Sequence, residues 1–147
     1  MRSNSVRVSS VFPASVDSVW DKLQRLDTLQ FIARPYAVFK PLGDASLTWR
    51  EGETARFSLW LFGVIPFGVH NINVVSFDRK TLTVQTREGN KFVPLWNHKI
   101  TLKPLDGGNT AYTDEVELFA SWVTPIVYVW SVMFYKHRQR KWCKLLK

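Results

Sequence analysis

The residues of this chain best suited to chemistry sit on two neighbouring stretches, WNHKITL at 96–102 and AYTDEVEL at 111–118. Between them, Asp106, Gly107 and Gly108 suit a three-residue hairpin loop with glycine in the left-handed conformation. That loop pairs Leu102 with Tyr112, Ile100 with Asp114, His98 with Val116 and Trp96 with Leu118, so all eight share one face. The opposite face carries Asn97, Lys99, Thr101, Lys103, Thr113, Glu115 and Glu117 and reads as solvated. His98 and Asp114 are then diagonal neighbours on the apolar face, within reach of a hydrogen bond. An imidazole beside a carboxylate can move protons as acid and base. Asp114 can equally hold His98 or Arg138 in a satisfied buried pair, as buried carboxylates usually do. The buried-pair reading is preferred to catalysis, with His98 and Asp114 kept as the catalytic candidates and as residues that would line a cavity.

His70 shares its face with Ile72 and Val74 and is expected to point inward. It lies two strands from His98, about 10 Å away at about 4.8 Å per strand, which is too far for a zinc ligand set. No metal and no cofactor is expected. The chain contains no G-x-S-x-G, phosphate loop, H-E-x-x-H or paired C-x-x-C, so hydrolase, nucleotide and zinc-protease chemistry finds no support. The single cysteine, Cys143, reads as a packed, inert thiol. With no second cysteine and no cleavable N-terminal signal, a reducing cytoplasmic setting is expected.

These residues must be positioned by one domain, expected over residues 1–147, because a chain of 147 residues buries about two thirds of its unfolded surface in a single core. Hydrophobic residues make up 46% and aromatics 14%, with seven tryptophans, which excludes intrinsic disorder. The formal net charge of +8 is local: residues 118–147 hold six cations, Lys136, Arg138, Arg140, Lys141, Lys144 and Lys147, and no acid. One basic helix end suits the helix's own C-terminal dipole or peripheral contact with an anionic membrane. It lacks the motif and footprint of a nucleic-acid binder, so no nucleic acid is expected as partner.

The hydrophobic period assigns the elements. SVRVSSVF at 5–12 reads as a strand, Ser15 as the cap of a short helix with Val16, Val19, Trp20 and Leu23, and Asp27 as the cap of a second that Pro35 stops. The period then changes to two, giving strands at 37–42, 53–62, 69–78, 81–88, 95–105 and 110–119. Turn chemistry separates them at Gly43 and Asp44, 63–68, 78–80, Gly89 and Asn90, and 106–109. Short connections make this a seven-stranded antiparallel meander in an α+β domain. One sheet face must be covered, and only the C-terminal helix from Thr124 to Leu146 is long enough. The stretch 118–135, which runs into this helix, carries no charge, so the alternative is a membrane-anchoring helix. Packing on the sheet is favoured, because Val127, Tyr128, Ser131, Tyr135, Arg138, Trp142, Leu145 and Leu146 continue one stripe through the basic end.

PASVDSVWDKL, FGVIPFGVHNI, REGNKFVPLWNHKITL, NTAYTDEVEL and YKHRQRKW, in the order strand, two short helices, meander and long helix, resemble bacterial ligand-binding members of the START-like superfamily, also called SRPBCC or Bet v 1-like. The resemblance covers nearly the whole chain. It implies the helix-grip fold, with the sheet wrapped around the long helix and a hydrophobic cavity between them that binds a hydrophobic small molecule or lipid. It also implies an alternative, a polyketide cyclase or aromatase-like enzyme using the same cavity, and it places the apolar loop 61–68, together with 89–94, at the cavity mouth. In the bland reading of that loop, Ile65 and Phe67 simply pack under the adjacent helix. The expected walls are Trp60, His70, Ile72, Val74, Trp96, Ile100, Tyr112, Val116, Trp130, Phe134 and Tyr135, with Ile65 and Phe67 at the mouth. His98, Asp114 and Arg138 would orient polar groups of the ligand.

Overall fold

A computed structural model of the chain describes residues 3–43 and 47–146; the turn expected at Asp44 and the charge of Lys147 lie outside the described residues. The elements follow in the order β1 (Asn4–Phe12), α1 (Val16–Leu23), α2 (Leu26–Ala33), β2 (Ala37–Pro41), β3 (Thr54–Leu61), β4 (Ile65–Asp78), β5 (Thr83–Gly89), β6 (Leu95–Pro104), β7 (Thr110–Phe119) and α3 (Thr124–Leu145). The seven strands form one antiparallel sheet in the order β1-β7-β6-β5-β4-β3-β2, with α3 on its inner face. This is the α+β helix-grip architecture.

Local chemistry explains most boundaries. Ser15 caps α1, its hydroxyl accepting the Ser18 N–H at 3.2 Å. Asp27 does not cap α2. That helix starts at Leu26, whose N–H donates to the Leu47 carbonyl at 2.9 Å, so a tertiary contact satisfies the first donor. The Asp27 carboxylate instead takes two hydrogen bonds from the Arg25 guanidinium, at 3.0 and 2.7 Å. The β6–β7 hairpin has the expected register, with Ile100 opposite Asp114 and His98 opposite Val116, and its loop residues Gly107 and Gly108 take φ of 81° and 80°.

The segment 63–68 departs from expectation. The turn is confined to Phe62, Gly63 and Val64, and β4 already begins at Ile65. The strand can start early because Gly68, at φ 79°, forms a bulge: the register shifts between Ser58 and Trp60, so Leu59 opposes both Phe67 and Gly68. A second shift, between Val74 and Ser76, lies on the same strand. Both irregularities bend β4, and a bent central strand lets the sheet curve around a helix.

The helix α3, 22 residues long, turns Ser131, Phe134, Tyr135, Arg138, Gln139 and Trp142 inward. Its outer face is apolar in the N-terminal half, where Ile126, Val129 and Met133 are exposed, and basic beyond it, at Lys136, Arg140 and Lys144. Among the described residues no helix is long and apolar enough to cross a membrane. The packed interior falls into two apolar clusters. One gathers Phe39, Phe57, Leu59, Ile72, Trp96, Phe134 and Tyr135; the other gathers Phe12, Trp20, Ile32, Ile100, Leu102, Tyr112 and Trp142. Polar residues of β6, β7 and α3 occupy the seam between them: His98 stands between Trp96 and Ile100, and Arg138 between Tyr135 and Trp142.

Candidate functional site

Sheet and helix do not close on each other completely. They leave a cavity of about 260 Å³, walled by Phe39, Leu59, Ile72, Val74, Trp96 and Ile100 from the sheet, Leu29 and Ile32 from α2, and Trp130, Phe134 and Tyr135 from α3. Of the residues expected to line it, Phe67, His70, Ile72, Val74, Trp96, His98, Ile100, Trp130, Phe134, Tyr135 and Arg138 face it.

Five do not. Alternation along β3 sends Leu59 and Leu61 inward, so Trp60 lies on the opposite face, its indole N–H donating to Ser58 Oγ at 2.9 Å and its ring beneath the Lys40 ammonium. Ile65 is half exposed beside the β3–β4 turn. Tyr112, Asp114 and Val116 point inward from β7 but are buried without facing the cavity; Tyr112, for one, stacks between Phe12 and Trp142. Trp122 is 85% exposed.

Sequence reasoning missed Glu88, the residue that organises the polar end of the cavity. His70 and His98 are on β4 and β6, and Glu88 on the strand between them meets both. Its Oε1 accepts from His70 Nε2 at 2.9 Å, its Oε2 accepts from Thr86 Oγ1 at 2.6 Å and lies 3.7 Å from His98 Nδ1. The signal was the alternation Val84, Thr86, Glu88, which puts the acid on the same face as a buried valine.

The chain of bonds continues across the fold. His98 Nε2 donates to Asp114 Oδ1 at 2.7 Å, Gln139 Nε2 donates to Asp114 Oδ2 at 3.0 Å and to the Val8 carbonyl at 2.7 Å, and Ser10 Oγ donates to Gln139 Oε1. At the other end Asn90 Oδ1 accepts the N–H groups of Phe92 and Val93, which leaves Asn90 Nδ2 to donate to His70 Nδ1 at 3.0 Å. His70 therefore carries its proton on Nε2. A single buried network thus ties β1, β4, β5, β6, β7 and α3 together.

The charges in this network are mutually stabilised. Burial pushes the Glu88 carboxyl up, but hydrogen bonds from His70 and His98 outweigh it and hold the group well below the usual carboxylate range. Asp114 is likewise raised by burial and lowered overall by His98, Arg138 and Gln139. For His98, burial disfavours the imidazolium, yet Asp114 and Glu88 raise its pKa above the ordinary 6.5. All four carboxylate oxygens and both nitrogens of His70 are hydrogen-bonded, while His98 is bonded through Nε2 and has its Nδ1 3.7 Å from Glu88 Oε2. Among the described residues no cluster of three or more His, Cys, Asp or Glu has the geometry to hold a metal ion.

Arg138 differs from the rest. It is 6% exposed, and its guanidinium rests on the rings of Phe134 and Tyr135, at 5.4 and 5.0 Å from their centroids. Burial alone would lower its pKa, but Tyr135, Asp114, Tyr112 and Glu88 hold it raised, so the charge persists. Of the wall residues near the β3–β4 turn, Phe67 packs on Phe92, and Trp130 adjoins Tyr36, on which Phe62 packs.

The architecture matches solved structures along nearly its full length. A START superfamily protein from Mycobacterium smegmatis superposes with a TM-score of 0.74 at 12% identity, covering 97% of this chain and 96% of that one. A protein from Chromobacterium violaceum gives 0.76 at 16% identity with the same coverage, and one from Mesorhizobium loti gives 0.74 at 17% identity, again over 97% and 96%. At these identities the likeness is one of fold. No curated protein matches the chain in sequence. Residues 10–146 match the family described as Domain of unknown function (DUF8410), and the chain, with its START-like helix-grip fold, belongs to that family.

Proposed function

We propose that this protein binds a hydrophobic small molecule or lipid in the cavity between the sheet and α3. The observation that carries this reading is the cavity itself, about 260 Å³ of space with mostly apolar walls inside a domain whose remaining interior is packed. Natural interiors close to crystal-like density, so a void of this size lined by tryptophan, phenylalanine and isoleucine costs stability unless something fills it. The way in runs between the β3–β4 turn and the segment around Phe92, where aromatic side chains form the rim. Binding fits the polar network better than catalysis does, because His70, Glu88, His98 and Asp114 are bonded chiefly to one another and to Thr86, Asn90, Tyr112 and Gln139, as a structural buried network is.

Filling the cavity tests this. Ile72 is buried on β4 and faces the space directly. In Ile72→Phe the added ring occupies the void, and affinity for a hydrophobic fluorescent probe is expected to fall at least about tenfold, as the loss of one well-filled apolar contact area implies. The far-ultraviolet circular dichroism is expected to stay unchanged. Undiminished probe binding by a folded Ile72→Phe variant would place the probe elsewhere and remove the cavity as the binding site.

A further inference from the structure

The proposed binding role leaves the chemical class of ligand open, and the polar atoms of the cavity wall narrow it. Among the described residues, three buried side-chain nitrogens on residues of that wall lack any hydrogen-bond partner: Arg138 Nε, Trp130 Nε1 and Trp142 Nε1. All three are donors only. Among the described residues, no buried side-chain acceptor on that wall lacks a partner. Among the described residues Arg138 forms no ion pair within 4.0 Å; the two carboxylates whose charge it feels are engaged elsewhere, Asp114 by His98, Gln139 and Tyr112, and Glu88 by His70 and Thr86. Stacking on Phe134 and Tyr135 satisfies the faces of the guanidinium, while its in-plane N–H groups remain the directional part of the group.

A buried cation with an empty donor calls for an anionic acceptor. The aromatic ladder Trp130, Phe134, Arg138 runs at four-residue steps along α3, with the Trp130 and Phe134 rings stacked 4.6 Å apart, so an apolar tail lying along it would end at the guanidinium. At about 30 Å³ per water-sized group, the cavity takes a ligand on the order of ten non-hydrogen atoms. One guanidinium neutralises one charge, which favours a planar monoanion over a phosphate dianion. Resting on the proposed binding role, we infer that the ligand is an amphipathic carboxylate whose head pairs with Arg138 and whose tail fills the space between Trp130, Phe134, Ile72 and Trp96.

Calorimetric titration of the full chain with decanoate, decanol and decyltrimethylammonium, each below its micelle concentration, isolates the head group at constant tail. Decanoate is expected to bind about tenfold or more tighter than decanol, the size of one charge-assisted hydrogen-bonded contact, and the ammonium weakest of all. Arg138→Met keeps the length and apolar stem of the side chain, and in it decanoate and decanol are expected to agree within about threefold. Comparison of the three ligands on the unmodified chain stands even where the variant fails to fold. Decanol binding as tightly as decanoate, or an Arg138→Met variant that retains the full preference, overturns the carboxylate assignment and leaves the hydrophobic cavity standing. Absence of binding by all three, together with probe binding that Ile72→Phe does not weaken, overturns both.

Discussion

Asp114→Ala is expected to lower stability by about 3–5 kcal/mol, the usual cost of removing one partner from a buried charged pair. The aspartate is 1% exposed, and three donors converge on it: His98 Nε2 at 2.7 Å, Gln139 Nε2 at 3.0 Å and the Tyr112 hydroxyl at 3.4 Å. Alanine leaves His98 Nε2 and the Tyr112 hydroxyl without this acceptor, leaves Gln139 Nε2 with only the Val8 carbonyl, and leaves His98 with only Glu88 to support its charge. Asp114→Asn retains one oxygen and places an amide N–H where Gln139 donates, so it is expected to fall between wild type and alanine. Urea unfolding checks this, through midpoints that shift at unchanged slope.

The same substitution reshapes the pH profile. Asp114 and Glu88 are lowered from their ordinary 3.8 and 4.5, so their stabilisation is present above those values and is lost as pH falls through the lower folded values. His98 is raised above its ordinary 6.5, so its contribution is complete below 6.5 and is lost as pH rises through the higher folded value. The wild-type chain is therefore most stable between about pH 4.5 and 6.5. In Asp114→Ala the alkaline decline shrinks, because His98 has lost its closest anionic partner. An alkaline limb identical in wild type and variant would show that His98 does not titrate against Asp114.

Trp142→Ala is the second large effect, a loss of about 3–5 kcal/mol and roughly 10 °C in melting temperature for a chain of this size. Trp142 is fully buried and closes an aromatic stack with Phe12 and Tyr112, at centroid distances of 5.6 and 5.7 Å. It joins the first strand, the last strand and α3 at one point, so its removal opens a cavity that three elements would have to move to fill. Trp122 supplies the control: at 85% exposure, Trp122→Ser is expected to change stability by less than about 0.5 kcal/mol. Equal effects at the two positions would contradict the assigned packing.

The contrast between these tryptophans shows where sequence reasoning reaches and where it stops. The β6–β7 register was legible because Asp106, Gly107 and Gly108 allow few loop geometries, and a fixed loop fixes every pair above it. The inward stripe of α3 at Ser131, Tyr135, Arg138 and Trp142 was legible from its spacing, but the exposure of Ile126, Val129 and Met133 was not, because they look the same as core residues in the uncharged first half of the helix. The early start of β4 was hidden by Pro66 and two glycines, which normally signal a turn, whereas here Gly68 forms a bulge within the ladder. Glu88 escaped because a carboxylate at the end of a strand gives no sign of burial by itself; only the histidines on both neighbouring strands make an inward carboxylate favourable. Trp60 was misplaced for a simpler reason, since its parity along β3 follows Ser58 and not Leu59. The cavity depends on how far the bent sheet stands from α3, a distance that no single residue encodes.

The most direct test of the binding role is a pair of mass spectra, native and denaturing, of the full chain purified without detergent, with extraction of whatever separates from it. A stoichiometric lipophilic adduct that is present in the native spectrum, absent from the denaturing one and lost in Ile72→Phe is the predicted result. A chain that is folded, empty, and unable to take up any lipophile offered to it would contradict the account.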